Sequence, residues 1–230
     1  MRPVMRGGGI SPGEIIAVFG TNLGPVTAQI ATVDSSGFIE TSLGGVQVTF
    51  NGFPGPILYA AAGQVSTIVP YEVAGASSVL VEVVFGTARS NTVNVPVVVS
   101  VPGIFSANES GTGAGAILDL NYHLVSASNP VSPGGYIQIF ATGEGQTNPA
   151  GIDGKIAPDM LPLPAPLLPV MVFIGGQQAF VPYAGAAPGQ VAGALQVDAQ
   201  IPAGTAAGNQ PVVLTIGGSS SQPGLTVAVQ

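Results

Sequence analysis

The sequence predicts an all-β chain folded as two tandem β-sandwiches, and three observations predict it. The phrase Ile10-Ser-Pro-Gly-Glu-Ile-Ile-Ala-Val-Phe-Gly-Thr-Asn-Leu-Gly24 returns as Val131-Ser-Pro-Gly-Gly-Tyr-Ile-Gln-Ile-Phe-Ala-Thr-Gly-Glu-Gly145. A period above about 100 residues is too long for a solenoid and fits two copies of a whole domain. Secondly, the chain's 34 Gly and 21 Pro punctuate short runs rich in Val, Ile and Thr, residues that favour strands. Thirdly, no stretch sustains a 3.6-residue apolar period over helical length.

The repeat runs on in order. Val48-Thr-Phe-Asn-Gly52 corresponds to Val172-Phe-Ile-Gly-Gly176, an apolar strand ending in a glycine turn. Tyr59-Ala60 with Gly63-Gln-Val65 corresponds to Tyr183-Ala184 with Gly189-Gln-Val191, and Ile68-Val-Pro70 to Gln200-Ile-Pro202. A chain of 230 residues gives each copy enough length for its own core. The predicted layout is a leader or donor segment over 1–9, a first domain over 10–101, a linker over 102–115 and a second domain over 116–230.

Within the first copy, strands are expected over 14–20, 46–51, 56–60, 64–70, 79–85 and 92–100. The clearest is 46–51, where Val46, Val48 and Phe50 alternate with Gln47 and Thr49. Residues 26–43 read as irregular, with Asp34-Ser-Ser-Gly37 as a loop tip. In the second copy, strands are expected over 136–142, 168–174, 179–183, 190–201, 210–217 and 225–229. Two features lack a counterpart in the first copy: a hairpin over 116–126 turning at Asn121-Tyr122, and a Pro-rich loop over 144–166 expected to wrap an edge or reach the neighbouring domain.

Composition excludes several functions. Four basic residues against eleven acids give a net charge of −7, so no basic stripe exists to neutralise phosphates; nucleic acid is not expected as a partner, and anionic membrane surfaces are disfavoured. Prolines 162, 164, 166 and 169 interrupt the most apolar stretch, so no transmembrane helix is expected. A membrane barrel is disfavoured by the prolines, the absence of Trp and too few aromatics for two girdles. Cysteine is absent, which excludes disulfides and says nothing of compartment. Gly7-Gly-Gly9 directly after Arg6 leaves no room for a signal-peptide apolar region, so an export signal is expected to lie upstream or to have been removed.

Gly20-Thr-Asn-Leu-Gly-Pro25 after an apolar strand resembles the signature of IPT/TIG immunoglobulin-like domains. The whole pattern resembles the Solibacter-type C-terminal domain family of acidobacterial extracellular proteins. The matching phrases include Pro102-Gly-Ile-Phe105, Asn129-Pro130 before Ser132-Pro-Gly134, Ala141-Thr-Gly143, Leu163-Pro-Ala-Pro166, Gly175-Gly176, Gln200-Ile-Pro202, Pro211-Val212 and Gly217-Gly218. The resemblance implies two immunoglobulin-like sandwiches, secreted or held at the cell surface, with no catalytic residues to carry over. One departure stands out: Glu144 occupies the position where Leu is usual, and where the first copy has Leu23.

Candidate chemistry is sparse. His123 is the sole histidine, four residues after Asp119 near a hairpin turn, and no Gly-x-Ser-x-Gly elbow accompanies it, so it reads as an exposed turn residue rather than a triad member. Glu144, Asp153 and Asp159 share one loop and offer the oxygen ligands Ca²⁺ would need, although their spacing matches no EF-hand or RTX pattern. Zinc lacks ligands altogether. Glu14, Glu72, Glu82 and Glu144 are conceivable glycosidase carboxylates, yet nothing assembles them, so they read as solvated. Tyr59 and Tyr183 occupy matching repeat positions and read as core or corner residues, not sugar platforms. Asn108-Glu-Ser110 is a sequon common by chance.

The expected function is a non-enzymatic extracellular structural protein that associates with itself in a stalk, layer or filament. Its contacts would come from edge strands, with the 1–9 leader or the terminal strand over 225–229 as donor. The alternative is an adhesion module binding polysaccharide or a surface protein, through the two insertions peculiar to the second copy.

Overall fold

The computed structural model describes residues 8–230 and is all-β, organised as two immunoglobulin-like sandwiches. Residues 1–7, most of the expected donor leader, lie outside the described residues. The 3₁₀ turn Tyr71–Val73 is the sole helical segment among those described.

The first sandwich contains β1 (Ile15–Phe19), β2 (Gln29–Ile30), β3 (Val46–Phe50), β4 (Phe53–Gly55), β5 (Ile57–Ala60), β6 (Gln64–Ile68), β7 (Ser78–Phe85), β8 (Ala88–Arg89) and β9 (Val93–Pro96). One sheet runs β1-β6-β5-β2; the other runs β4-β3-β7-β8, with β9 also on β7. Val46, Val48 and Phe50 point inward and are fully buried, as their alternation predicts. They pack with Val18, Ile57, Val65, Val79, Val81 and Val83 between the two sheets.

The second sandwich contains β10 (Gly103–Ile104), β11 (Gly113–Ala114), β12 (Ile117–Asp119), β13 (Tyr136–Thr142), β14 (Thr147–Asn148), β15 (Ala165–Pro166), β16 (Val170–Ile174), β17 (Gln177–Gln178), β18 (Phe180–Ala186), β19 (Leu195–Gln200), β20 (Gly208–Ile216), β21 (Ser219–Ser220) and β22 (Leu225–Val229). Its sheets are β10-β13-β19-β18, with β12 on β13, and β11-β22-β20-β16-β17, with β21 on β20. Ile137, Ile139, Val172, Ile174, Val197 and Leu214 are fully buried between them.

The duplication extends to individual hydrogen bonds. The pairs β1·β6, β3·β7 and β7·β9 recur as β13·β19, β16·β20 and β20·β22. The parallel bridge Ile10–Val97 recurs as Val131–Val229. Gly13 donates to the Val69 carbonyl, and Gly134 donates to that of Ile201. Both glycines have positive φ, +74° and +83°, the left-handed region that only a residue without Cβ adopts freely. Ser90 and Ser221 form a further matched pair: each hydroxyl accepts an amide bond from the long strand opposite, from Val83 and Leu214 respectively.

Two expectations are corrected. The segment 102–115 is not a free linker: Gly103–Ile104 pairs with β13, and Gly113–Ala114 runs parallel to β22. The Gln222 side chain completes the first attachment, accepting from the Ile104 amide at 3.1 Å and donating to its carbonyl at 2.6 Å. The terminal strand is not a free donor either. β22 is held by β20 on one side and β11 on the other, so its backbone groups are engaged within the chain.

Candidate functional site at the junction of the two sandwiches

The two sandwiches meet along a junction built from short hydrogen bonds. The Ile15 amide donates to Thr142 Oγ1 at 2.8 Å, and Ser100 Oγ donates to the Ile216 carbonyl at 2.8 Å. The 144–166 loop crosses to the first sandwich as its length predicts. The Ile39 amide donates to the Gly154 carbonyl, the Ile156 amide to that of Gly37, and Phe38 bridges Lys155. Asp34 fixes the opposing loop tip by accepting from the Ser36 and Phe38 amides.

Tyr71 is the pivot of this junction. Its ring lies against Gly13 of its own sandwich and Gly151 of the crossing loop; a Cβ on Gly13 would come within 2.6 Å of the phenol oxygen. The Tyr71 amide donates to Asp153 Oδ1 at 3.0 Å, and its carbonyl accepts from Gln146 Nε2 at 3.0 Å. Nothing in the sequence around Tyr71 marked it, because every one of these partners except Gly13 comes from the other half of the chain.

Acidic side chains from both halves gather around this pivot. Glu14 Oε2 accepts from the Ser11 amide at 2.8 Å. Burial pushes the Glu14 carboxyl up to about 8; the Ser11 bond opposes the rise, and repulsion from Glu144 adds to it. Glu144 is 3% exposed, its Oε2 has no hydrogen-bond partner, and burial raises it to about 7. Burial also raises Asp153 to about 7, aided by a hydrogen bond shared with the Glu72 carboxyl and opposed by the Tyr71 amide. The Tyr71 phenol is raised by burial and by the neighbouring Glu144 and Asp153 carboxyls.

This corrects the reading of these glutamates as solvated. Glu144 occupies a core position, as its repeat partner Leu23 does at 4% exposure. Glu14 is covered by a sandwich that begins about ninety residues later in the chain. Glu72 stays exposed at the rim, and Glu82 lies far off on β7, paired with Arg89. Glycosidase chemistry needs one carboxyl protonated and its partner ionised. Here Glu14 and Glu144 are pushed the same way, so the arrangement does not divide acid from base.

The three loop acids proposed for Ca²⁺ are distributed differently. Glu144 and Asp153 face Tyr71, whereas Asp159 is exposed against Gly189. Among the described residues no group of three or more His, Asp or Glu side chains is placed to hold a metal ion. His123 sits on the predicted hairpin tip, 73% exposed and 3.7 Å from Asp119. Hydrogen bonds from the His123 amide and Asn129 hold the Asp119 carboxyl below the usual range. Tyr183 lies within β18, its hydroxyl donating to the Ala186 carbonyl of the same strand at 2.7 Å.

Beside the acidic pivot the junction opens into a cleft of about 1250 Å³. One wall is β1, with Phe19 at 38% exposure; the other is formed by 100–106 and 219–223. Phe105, Ser66, Ser219, Ser220 and Gln222 line it, and Glu14 stands on its floor. Its only ionisable lining groups are Glu14 and Glu109, and no cation enters it among the described residues.

No helix is long and apolar enough to cross a membrane among the described residues. No family model matches the chain, and no curated protein matches it. Among solved structures, it is similar to the Bacteroides ovatus mixed-linkage glucan utilization locus SGBP-B in complex with a mixed-linkage heptasaccharide. That likeness has 15% identity and a TM-score of 0.35, over 100% of this chain and 45% of that one. It is also similar to SGBP-B from a complex xyloglucan utilization locus in Bacteroides uniformis, at 13% identity and a TM-score of 0.29, over 97% of this chain and 48% of that one. A chimeric titin Z1Z2 tandem matches at 14% identity and a TM-score of 0.20, over 80% of this chain and 83% of that one. The chain thus spans less than half the length of the two SGBP-B proteins.

Proposed function

We propose that the protein is a non-enzymatic extracellular or cell-surface module that binds a neutral polysaccharide in the cleft between its two sandwiches. The observation that supports this is the cleft itself: an open groove walled by hydroxyl, amide and phenyl groups. Such a lining suits sugar hydroxyls and the apolar faces of pyranose rings. The absence of basic side chains from the lining among the described residues, with the chain's −7 charge, disfavours acidic polymers. Self-association, the other expected role, loses one of its two donors now that β22 is engaged on both sides.

Affinity electrophoresis in gels containing mixed-linkage β-glucan or xyloglucan tests the proposal. Retardation of the native chain is expected, weakened by Phe19→Ala, which removes the exposed ring, and by Ser220→Arg, which fills the groove. Loss of one stacked ring is expected to weaken binding on the order of tenfold. Unretarded migration in every neutral glucan, or retardation that neither substitution changes, would overturn it.

A further inference from the structure

We propose that the junction is a proton-operated latch: it holds the sandwiches together while the Glu14, Glu144 and Asp153 carboxyls carry protons, and it loosens as they ionise. The geometry is that of an interface. Glu14 comes from the entrance to β1, Glu144 from the turn after β13, and Asp153 from the loop that crosses between the sandwiches. Tyr71 and Glu72, on the 3₁₀ turn, face them from the remaining side. Among the described residues, every ionisable group that faces the pivot is therefore acidic. Lys155, two residues beyond Asp153, is exposed, and the ion pairs among the described residues are Arg89–Glu82 and His123–Asp119. Glu144 adds an independent sign that the pivot favours the protonated form, since its Oε2 is buried without a donor and the single backbone bond to the carboxylate is outweighed by burial.

The direction follows from linkage. A carboxyl whose closed-state pKa lies above its open-state value favours closure fully below the open-state value. That contribution is lost as pH rises through the closed-state value. For Glu144 the window runs from its ordinary 4.5 to about 7, and for Glu14 from 4.5 to about 8. For Asp153 it runs from 3.8 to about 7. The latch is tight at mildly acidic pH and loosens across neutrality, and the carboxyl contribution is complete by about pH 9.

Hydrogen exchange on the full chain, without any glycan, tests this. The informative amides are Ile15, which donates across the junction to Thr142, and Tyr71, which donates to Asp153. Their protection factors are expected to fall by well over about a hundredfold between about pH 5 and pH 9, while core amides such as Ile139 and Leu214 keep theirs. The double substitution Glu14→Gln with Glu144→Gln is expected to abolish most of that fall. X-ray scattering of the unmodified chain should show its radius of gyration increasing over the same range. Constant protection at Ile15 and Tyr71, or an undiminished fall in the double variant, would overturn the latch. So would a parallel loss at the core amides. None of these outcomes bears on whether the cleft holds a polysaccharide, so the two proposals fail separately.

Discussion

Glu144→Leu places the first copy's residue at the matching point of the second. Leu23 and Glu144 are 4% and 3% exposed, so the site accepts a side chain of this size in a buried setting. Burial raises the Glu144 carboxyl from 4.5 to about 7. At about 1.36 kcal/mol per pH unit, ionising it in place costs about 3 kcal/mol above pH 8, and near-complete burial leaves no solvent screening to discount. Removing the carboxyl should return that amount at pH 9 and almost none of it near pH 4.5. A smaller gain of about 1 kcal/mol from apolar burial remains at both. For a chain of this size about 1 kcal/mol moves Tm by 2–4 °C, so the two contributions together are expected to raise Tm by roughly 8–16 °C at pH 9. Scanning calorimetry of the native chain, Glu144→Leu and Glu144→Gln at both pH values measures it. If the sandwiches melt separately, the second sandwich's transition carries the effect. An equal gain at both pH values, or a loss at pH 9, would refute the argument that a buried charge sets the cost.

Gly193→Ala should strain the junction from the other side, because Gly193 has φ +98° and its Cβ would collide with the Gly13 carbonyl. A loss of about 2 kcal/mol or more by urea denaturation is expected, against about 1 kcal/mol for Gly86→Ala, whose Cβ meets open space. Ser221→Ala leaves the Leu214 amide without its side-chain acceptor in the core, so a loss of about 1–3 kcal/mol is expected. Ser90→Ala, the matched change at a half-buried site, should cost less; equal costs in the two copies would contradict the burial argument.

The fold was legible because the core strands of the second copy repeat sequence phrases of the first, and pairing depends on those local patterns. Val46-Gln-Val-Thr-Phe50 announces its buried face by alternation alone. Two-residue strands such as Gly103–Ile104 carry no period, so attachment of that segment to β13 was not readable. The Ser90–Ser221 match was present in the sequence, but short polar residues recur too often in this chain to single it out. The site was less legible than the fold, and for one reason. Burial of Glu14 and Tyr71 is supplied by residues from the other half of the chain, which no local pattern of polarity encodes.

Glu144 is where fold and function separate most clearly. The turn Gly20-Thr-Asn-Leu-Gly24 tucks Leu23 into its own sandwich, with Asn22 at φ +56° and the Leu23 amide bonded to Ala62. The turn Ala141-Thr-Gly-Glu-Gly145 keeps the backbone plan, with Gly143 at φ +81°, but it lies under Val99 and Val101 of the connecting segment. A scaffold that already accommodates leucine at this point has no structural need for a carboxylate. Yet the chain sets one there, with its Oε2 unpartnered and close enough to Glu14 and Tyr71 to raise both. A residue that departs from its fold's own repeated pattern, at a cost in stability above neutral pH, is explained by what the junction does rather than by how the sandwich folds.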